Sequence, residues 1–278
     1  MNGRKHLCIA LFLGIIVAAC TPVSKKALRA YAETKEDVSV VADTPTAQQD
    51  EPSGRGDDDT QADGEGGEGY ELPAFRTSPD EIVLKRKGYT ASYSPTTKIP
   101  NWVAWHLTAE HVDGYAKRKG IPFHEDEDVP EPRVDTYDYM RSGYDRGHMC
   151  PAGDNKWSYK AQKEAFLMTN ICPQNGDLNE RDWKYLEEAC RDWARRYGKI
   201  YIVAGPIFHG KSHNTVGEHS VAVPDAFFKV VMRTKGPSHD AQAIGFIYKN
   251  EPGRHDMSFY VRSVDDVEKA TGLDFFYQ

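Results

Sequence analysis

Cysteine is scarce in this chain, with five among 278 residues, and no two of them form a Cys-x-x-Cys pair. A thiolate zinc site is thereby disfavoured. Cys8 and Cys20 belong to the first twenty residues, which leaves Cys150, Cys172 and Cys190, an odd set that allows at most one bridge and leaves a free thiol. An apolar run long enough to cross a bilayer is missing too: Leu7–Ala19 is short, follows the basic Arg4, Lys5 and His6, and reads as the core of a signal peptide. It ends in Val17-Ala18-Ala19-Cys20, the pattern of a bacterial lipobox, in which Cys20 carries lipid and tethers an exported protein to a bacterial membrane, on its periplasmic or cell-surface face. The competing reading of residues 1–20 is an ordinary signal peptide with a chance cysteine. Internal repeats and a regular βαβ rhythm are also lacking.

Residues 21–72 have almost nothing to bury. Asp57-Asp58-Asp59 and the Gly64–Gly69 stretch cannot offset the entropy of folding, so this segment is expected to be a disordered acidic tether. The whole chain carries a net charge of −7, whereas Asp43–Glu71 holds ten acidic residues against the single Arg55, a local −9. Everything else therefore sums to about +2, and the acidity describes the tether. A polyanionic substrate is not excluded for the remaining domain, residues 73–278.

Within that domain, Lys199–Phe208 is a continuous apolar run rich in β-branched residues and reads as a buried strand. Val221–Arg233 and Ala241–Tyr248 read as two more, joined by a turn at Lys235-Gly236-Pro237-Ser238. From Glu180 to Tyr197 the spacing of Trp183, Leu186, Cys190, Trp193 and Tyr197 draws one helical stripe, and Gly198 is placed to end it. Ser263 with Asp265 and Asp266 marks another helix start. The expectation is a mixed α+β domain.

The densest polar motif is Asp145-Arg146-Gly147-His148, within the run Ser142–Asp154. A histidine is the natural general base near neutral pH. Downstream lie Thr169–Gln174 and Leu178–Glu187. These three blocks in this order resemble the DNA/RNA non-specific endonuclease family, the ββα-metal nucleases that include endonuclease G, with the resemblance extending to Tyr201–Phe208 and Val223–Lys229. It covers about residues 75–278 and implies a mainly antiparallel central sheet carrying a ββα-metal active-site motif.

The resemblance implies hydrolysis of phosphodiester bonds in DNA and RNA without sugar preference. It assigns His148 as the general base and Asn179 as the single protein ligand of Mg²⁺, with Mn²⁺ as a substitute. Glu187 is put near the metal waters, Arg191 on the scissile phosphate, and Asn170 in support of the histidine or substrate; Arg146 belongs to the motif itself. Arg118 aligns loosely with an upstream phosphate-contacting arginine, and Lys117 or Lys119 serves as well on charge alone. Each residue also has a plainer reading. Asp145 either braces His148 or satisfies a turn; Asn179 also suits a helix N-cap. Glu187 and Arg191, four apart, also suit a surface ion pair. His209, His213 and His219 lie in a loop that offers no fixed geometry for a metal. Two other functions stay open, a phosphodiesterase or phosphatase for small esters and a non-catalytic nucleic-acid-binding lipoprotein. The oligomeric state is also open, a homodimer included.

The resemblance also brings Cys150 and Cys172 onto adjoining segments of one site. A bridge there would close a loop of about twenty residues, worth ~3 kcal/mol. The alternative is two reduced thiols, with Cys190 buried on the helix stripe.

Overall fold

The computed structural model describes residues 71–75, 80–210, 212–233 and 241–276. The leader, Cys20, the acidic tether up to residue 70 and the turn at 235–238 lie outside the described residues. Thirteen strands run in chain order among those described: β1 Ala74–Phe75, β2 Ile82–Lys85, β3 Thr90–Ser94, β4 Ile99–Thr108, β5 Asp145–His148, β6 Ile171–Gln174, β7 Lys199–Ile207, β8 Thr215–Val216, β9 Val221–Ala222, β10 Ala226–Arg233, β11 Gln242–Lys249, β12 Val261–Arg262 and β13 Leu273–Asp274. Seven of them form one antiparallel sheet in the order β12-β11-β10-β7-β4-β3-β2. The α+β class is as the sequence pattern implied, and the antiparallel sheet as the resemblance implied.

The central strands are apolar on both faces because both are covered. On one face Trp102, Ala104, Val203, Phe228 and Val230 pack with Val267, Leu273 and Phe275 from the C-terminal segment. The helix in that segment, Val264–Thr271, starts where expected: Ser263 Oγ accepts from the Asp266 N–H, and Gly272 ends the helix in the left-handed conformation. The opposite face carries Trp105, Phe227 and Tyr248 and is covered by the long helix Lys184–Tyr197, whose Leu186, Cys190 and Trp193 are buried. Just ahead of that helix, Trp183 meets Phe227 at 5.8 Å and Tyr248 at 5.7 Å between ring centroids.

Two expectations need correcting. The strand expected over Val221–Arg233 is two, β9 and β10, because Pro224 has no N–H to give a ladder and Asp225 donates across to the Ile207 carbonyl. The helix expected from Glu180 opens as a π-turn over Asn179–Trp183 before becoming α-helical at Lys184.

Candidate active site

β5 and β6 form a separate two-stranded antiparallel pair, aligning Asp145 with Gln174, Gly147 with Cys172 and His148 with Ile171. The π-turn and long helix follow β6, so the ββα motif is a contiguous device beside the main sheet. Gly147 is required by close approach: a Cβ there would stand 2.3 Å from Gln174 Oε1.

Asn170, fully buried, staples the end of β5. Its Oδ1 accepts from the Cys150 N–H at 2.9 Å, and its Nδ2 donates to the carbonyls of Cys150 at 2.9 Å and Ala165 at 2.8 Å. Both arms of the amide are committed to backbone, so Asn170 supports the histidine strand and does not face substrate.

The His148 ring is half-buried between Phe123 and Phe166, with centroids 5.2 and 5.1 Å away. Its Nε2 is shut off from solvent and has no hydrogen-bond partner. Burial, with the Arg118 charge second, pushes the imidazole pKa down to about 3, so the ring is neutral. Asp145 does not brace it. Its Oδ2 accepts instead from Asn179 Nδ2 at 3.0 Å. Nor is Asn179 the N-cap: Asn175 Oδ1 accepts from the Leu178 N–H, and Asn179 lies inside the helical segment with αR geometry. The donation to Asp145 leaves its carbonyl oxygen free to accept.

The surface pair that the i, i+4 spacing of Glu187 and Arg191 also allowed is not formed, and Arg191 makes a deeper one instead. Arg191 Nη1 reaches Asp154 Oδ1 at 3.1 Å, while Asp154 Oδ2 accepts from Trp105 Nε1 at 3.1 Å. Gly153 leaves room for this arginine, since a Cβ would come within 2.9 Å of Nη1. Burial raises the Asp154 carboxyl, opposed by the charges of Arg191 and Lys229. Burial also raises Glu187 to about 7, against the pull of Lys229.

His148, Asp145, Asn179, Glu187 and Arg191 meet at an open groove of about 980 Å³, with Asn170 and Asp154 buried behind it. Cations dominate its walls: Lys117, Arg118, Lys119, Arg146, Lys156 and Lys184. Arg118 and Arg146 lie over the rings of Phe166 and Phe123 at 5.5 and 4.7 Å. Lys117, Arg118 and Lys119, the three alternatives for an upstream phosphate contact, all line the groove.

Residues 68–278 match the sequence model of the DNA/RNA non-specific endonucleases. The chain belongs to the DNA/RNA non-specific endonuclease family. Among relatives in this family, mitochondrial nuclease EXOG of Danio rerio is 39% identical over 201 residues, covering 68% of this chain and 59% of that protein. Nuclease C1 of Cunninghamella echinulata var. echinulata is 36% identical over 208 residues, covering 69% of this chain and 82% of that one. The chain spans 55–62% of the length of the four EXOG relatives. A crystal structure of an EndoG/EndoGI complex holds a chain that superposes with a TM-score of 0.66 at 31% identity, over 70% of this chain and 85% of that one.

The bridge between Cys150 and Cys172 is not formed; both are free and buried, as is Cys190. Register explains it. Cys172 lies opposite Gly147, three residues short of Cys150, an offset of roughly 10 Å along the strand at ~3.4 Å per residue, beyond the ~7 Å a disulfide spans. The loop histidines are engaged separately: His219 Nδ1 lies 2.9 Å from Asp138, the His209 N–H donates to Asp225, and His213 packs on Phe208.

Sequence reasoning did not single out Asp154, Trp105 or Lys229. Lys229 had a legible signal, a lone charge in the otherwise apolar stretch Ala226–Met232.

Proposed function

We propose that this protein is a divalent-metal-dependent endonuclease that hydrolyses phosphodiester bonds in DNA and RNA, with His148 as general base and Asn179 as the protein ligand of one Mg²⁺. The observation that carries this reading is a neutral imidazole at the wall of a groove rich in Lys and Arg. A cation-lined groove concentrates a polyanionic backbone, and a neutral imidazole can accept a proton from water.

With Nε2 buried against the phenylalanines, Nδ1 is the nitrogen left to accept that proton. Arg191, held by Asp154, supplies positive charge for the scissile phosphate as the transition state gathers negative charge. The donor chemistry fits a hard cation: an amide oxygen at Asn179, its nitrogen secured by Asp145, with the Glu187 carboxyl lining the same groove. One amide oxygen with a carboxyl nearby suits a cation that keeps most of its waters, Mg²⁺ or Mn²⁺. Bound there, it would supply Lewis-acid stabilisation of phosphate and leaving oxygen.

The groove is open and lined by cations along much of its wall, which suits a polyanionic polymer over a small ester. Export and a lipid tether at Cys20 complete the reading, supported by the basic start, short apolar run and Val17–Cys20 pattern. Digestion of plasmid DNA, a structured RNA and a small phosphodiester, with Mg²⁺ and with EDTA, tests it. Metal-dependent internal cleavage of both polymers is expected; turnover of the small ester alone would refute it.

A further inference from the structure

Lys229 is fully buried at the centre of β10, and its Nζ has no hydrogen-bond acceptor. A charge in that position is costly unless something nearby compensates it. Two indoles do so in part: Nζ stands 4.3 Å from the ring centroid of Trp183 and 5.4 Å from that of Trp105. The N–H of each indole leads to a different half of the active site. Trp105 Nε1 donates to Asp154, whose other oxygen holds Arg191. Trp183 Nε1 donates to the main-chain carbonyl of His148 at 3.4 Å. One buried cation therefore underlies both Arg191 and His148. Its charge also opposes protonation of Asp154 and of Glu187, so that with Arg191 two cations face two carboxylates.

We propose that Lys229 is a positioning residue for phosphodiester hydrolysis: packed against Trp105 and Trp183, it fixes the indole that holds Asp154, and through it Arg191, and the indole that holds the main chain of His148. This rests on the nuclease reading above. A lysine that served packing alone could be exchanged for methionine, of similar reach and apolar, without changing the chemical step in the folded protein.

The test uses the full-length protein with Mg²⁺, comparing wild type, Lys229→Met and Trp105→Phe for kcat, KM, pH profile and the indole N–H resonances. Folding of each variant is checked by its thermal transition. Lys229→Met is expected to lower kcat by about 10–100-fold, as for lost supporting contacts, with KM within about threefold. Both indole resonances should shift. The acid limb of kcat should move to higher pH, because Asp154 loses a compensating charge, takes up a proton more readily and releases Arg191. Asp154 is faced by Arg191, Lys229 and Trp105, with Cys150, Cys190 and Glu187 in the same electrostatic environment, and Lys229→Met leaves all of these but Lys229 in place.

Trp105→Phe keeps an aromatic face under the ammonium and removes only the N–H to Asp154, so it should reproduce the acid-limb shift. If it keeps wild-type kcat and pH profile, the route from Lys229 to Arg191 is refuted, even should Lys229→Met fail to fold. A folded Lys229→Met with wild-type kcat overturns the proposal while leaving the nuclease reading intact. Failure of the wild type to cleave either polymer with Mg²⁺ sinks that reading and the role of Lys229 with it.

Discussion

Asn179 gives its amide nitrogen to Asp145 across 3.0 Å, and the bond decides which end of the amide is free. The first residue of the Asp-Arg-Gly-His motif thus acts on the candidate metal ligand and makes no hydrogen bond to the histidine three residues on. Asp145→Ala should let the Asn179 side chain rotate and lower activity by about 10–100-fold, the range seen when a ligand loses its support. Raised Mg²⁺ should recover part of the loss by mass action. An activity loss indifferent to Mg²⁺ concentration would separate Asp145 from the metal.

Asn170→Ala removes hydrogen bonds to the Cys150 N–H, the Cys150 carbonyl and the Ala165 carbonyl, all in a fully buried setting. Leaving buried backbone groups unpaired costs ~1–3 kcal/mol each, so a loss of about 3 kcal/mol or more is expected. The midpoint of thermal unfolding should fall by roughly 6–12 °C for a domain of this size. Mg²⁺ dependence in the folded fraction should not change. An unaltered melt with altered Mg²⁺ dependence would show that Asn170 acts on metal or substrate.

Much of the site was legible because its chemistry is local in sequence. Asp145–His148, Asn170, Asn179, Glu187 and Arg191 all lie on one short ββα device, and Trp183, Leu186, Cys190 and Trp193 announced its helix by their spacing. What could not be read were relations across the sheet. Arg191 pairs with Asp154, which also accepts from Trp105, and not with Glu187 on its own helix, and nothing in an i, i+4 spacing reports that. Cys150 and Cys172 miss each other because register, not adjacency of segments, sets their offset. The π-turn at Asn179–Trp183 was likewise hidden, since the apolar stripe begins only at its last residue.

Glu187 gives a pH signature. Its carboxyl is raised from 4.5 to about 7 by burial, so the folded protein holds a proton that the unfolded chain has released. Between those values the native state binds more protons, and stability falls as pH rises. In EDTA the unfolding midpoint of the wild type should drop between about pH 5 and pH 8 by more than that of Glu187→Gln. Equal drops would exclude Glu187 as the group responsible.

Tyr115 is presented to the groove and is 82% exposed. Its neighbours fix the backbone: a Cβ on Gly114 would collide with the Lys156 main chain at 2.3 Å, and the Ala116 N–H donates to the Lys156 carbonyl at 2.8 Å. Such a ring can stack an unpaired base, a contact worth ~1–3 kcal/mol. Tyr115→Ser should raise KM for a single-stranded oligonucleotide by about tenfold or more with kcat retained, and Tyr115→Trp should not. Unchanged KM in the serine variant would remove Tyr115 from substrate binding.

The central claim is that His148 accepts the proton of the attacking water. Single-turnover cleavage of DNA and of RNA by His148→Ala, at saturating Mg²⁺ and beside the wild type, tests it most directly. The rate on both substrates should fall by about 10²–10⁴-fold while substrate affinity, measured without metal, stays within a factor of about three. A folded His148→Ala protein that keeps more than about a tenth of the wild-type rate would contradict the account.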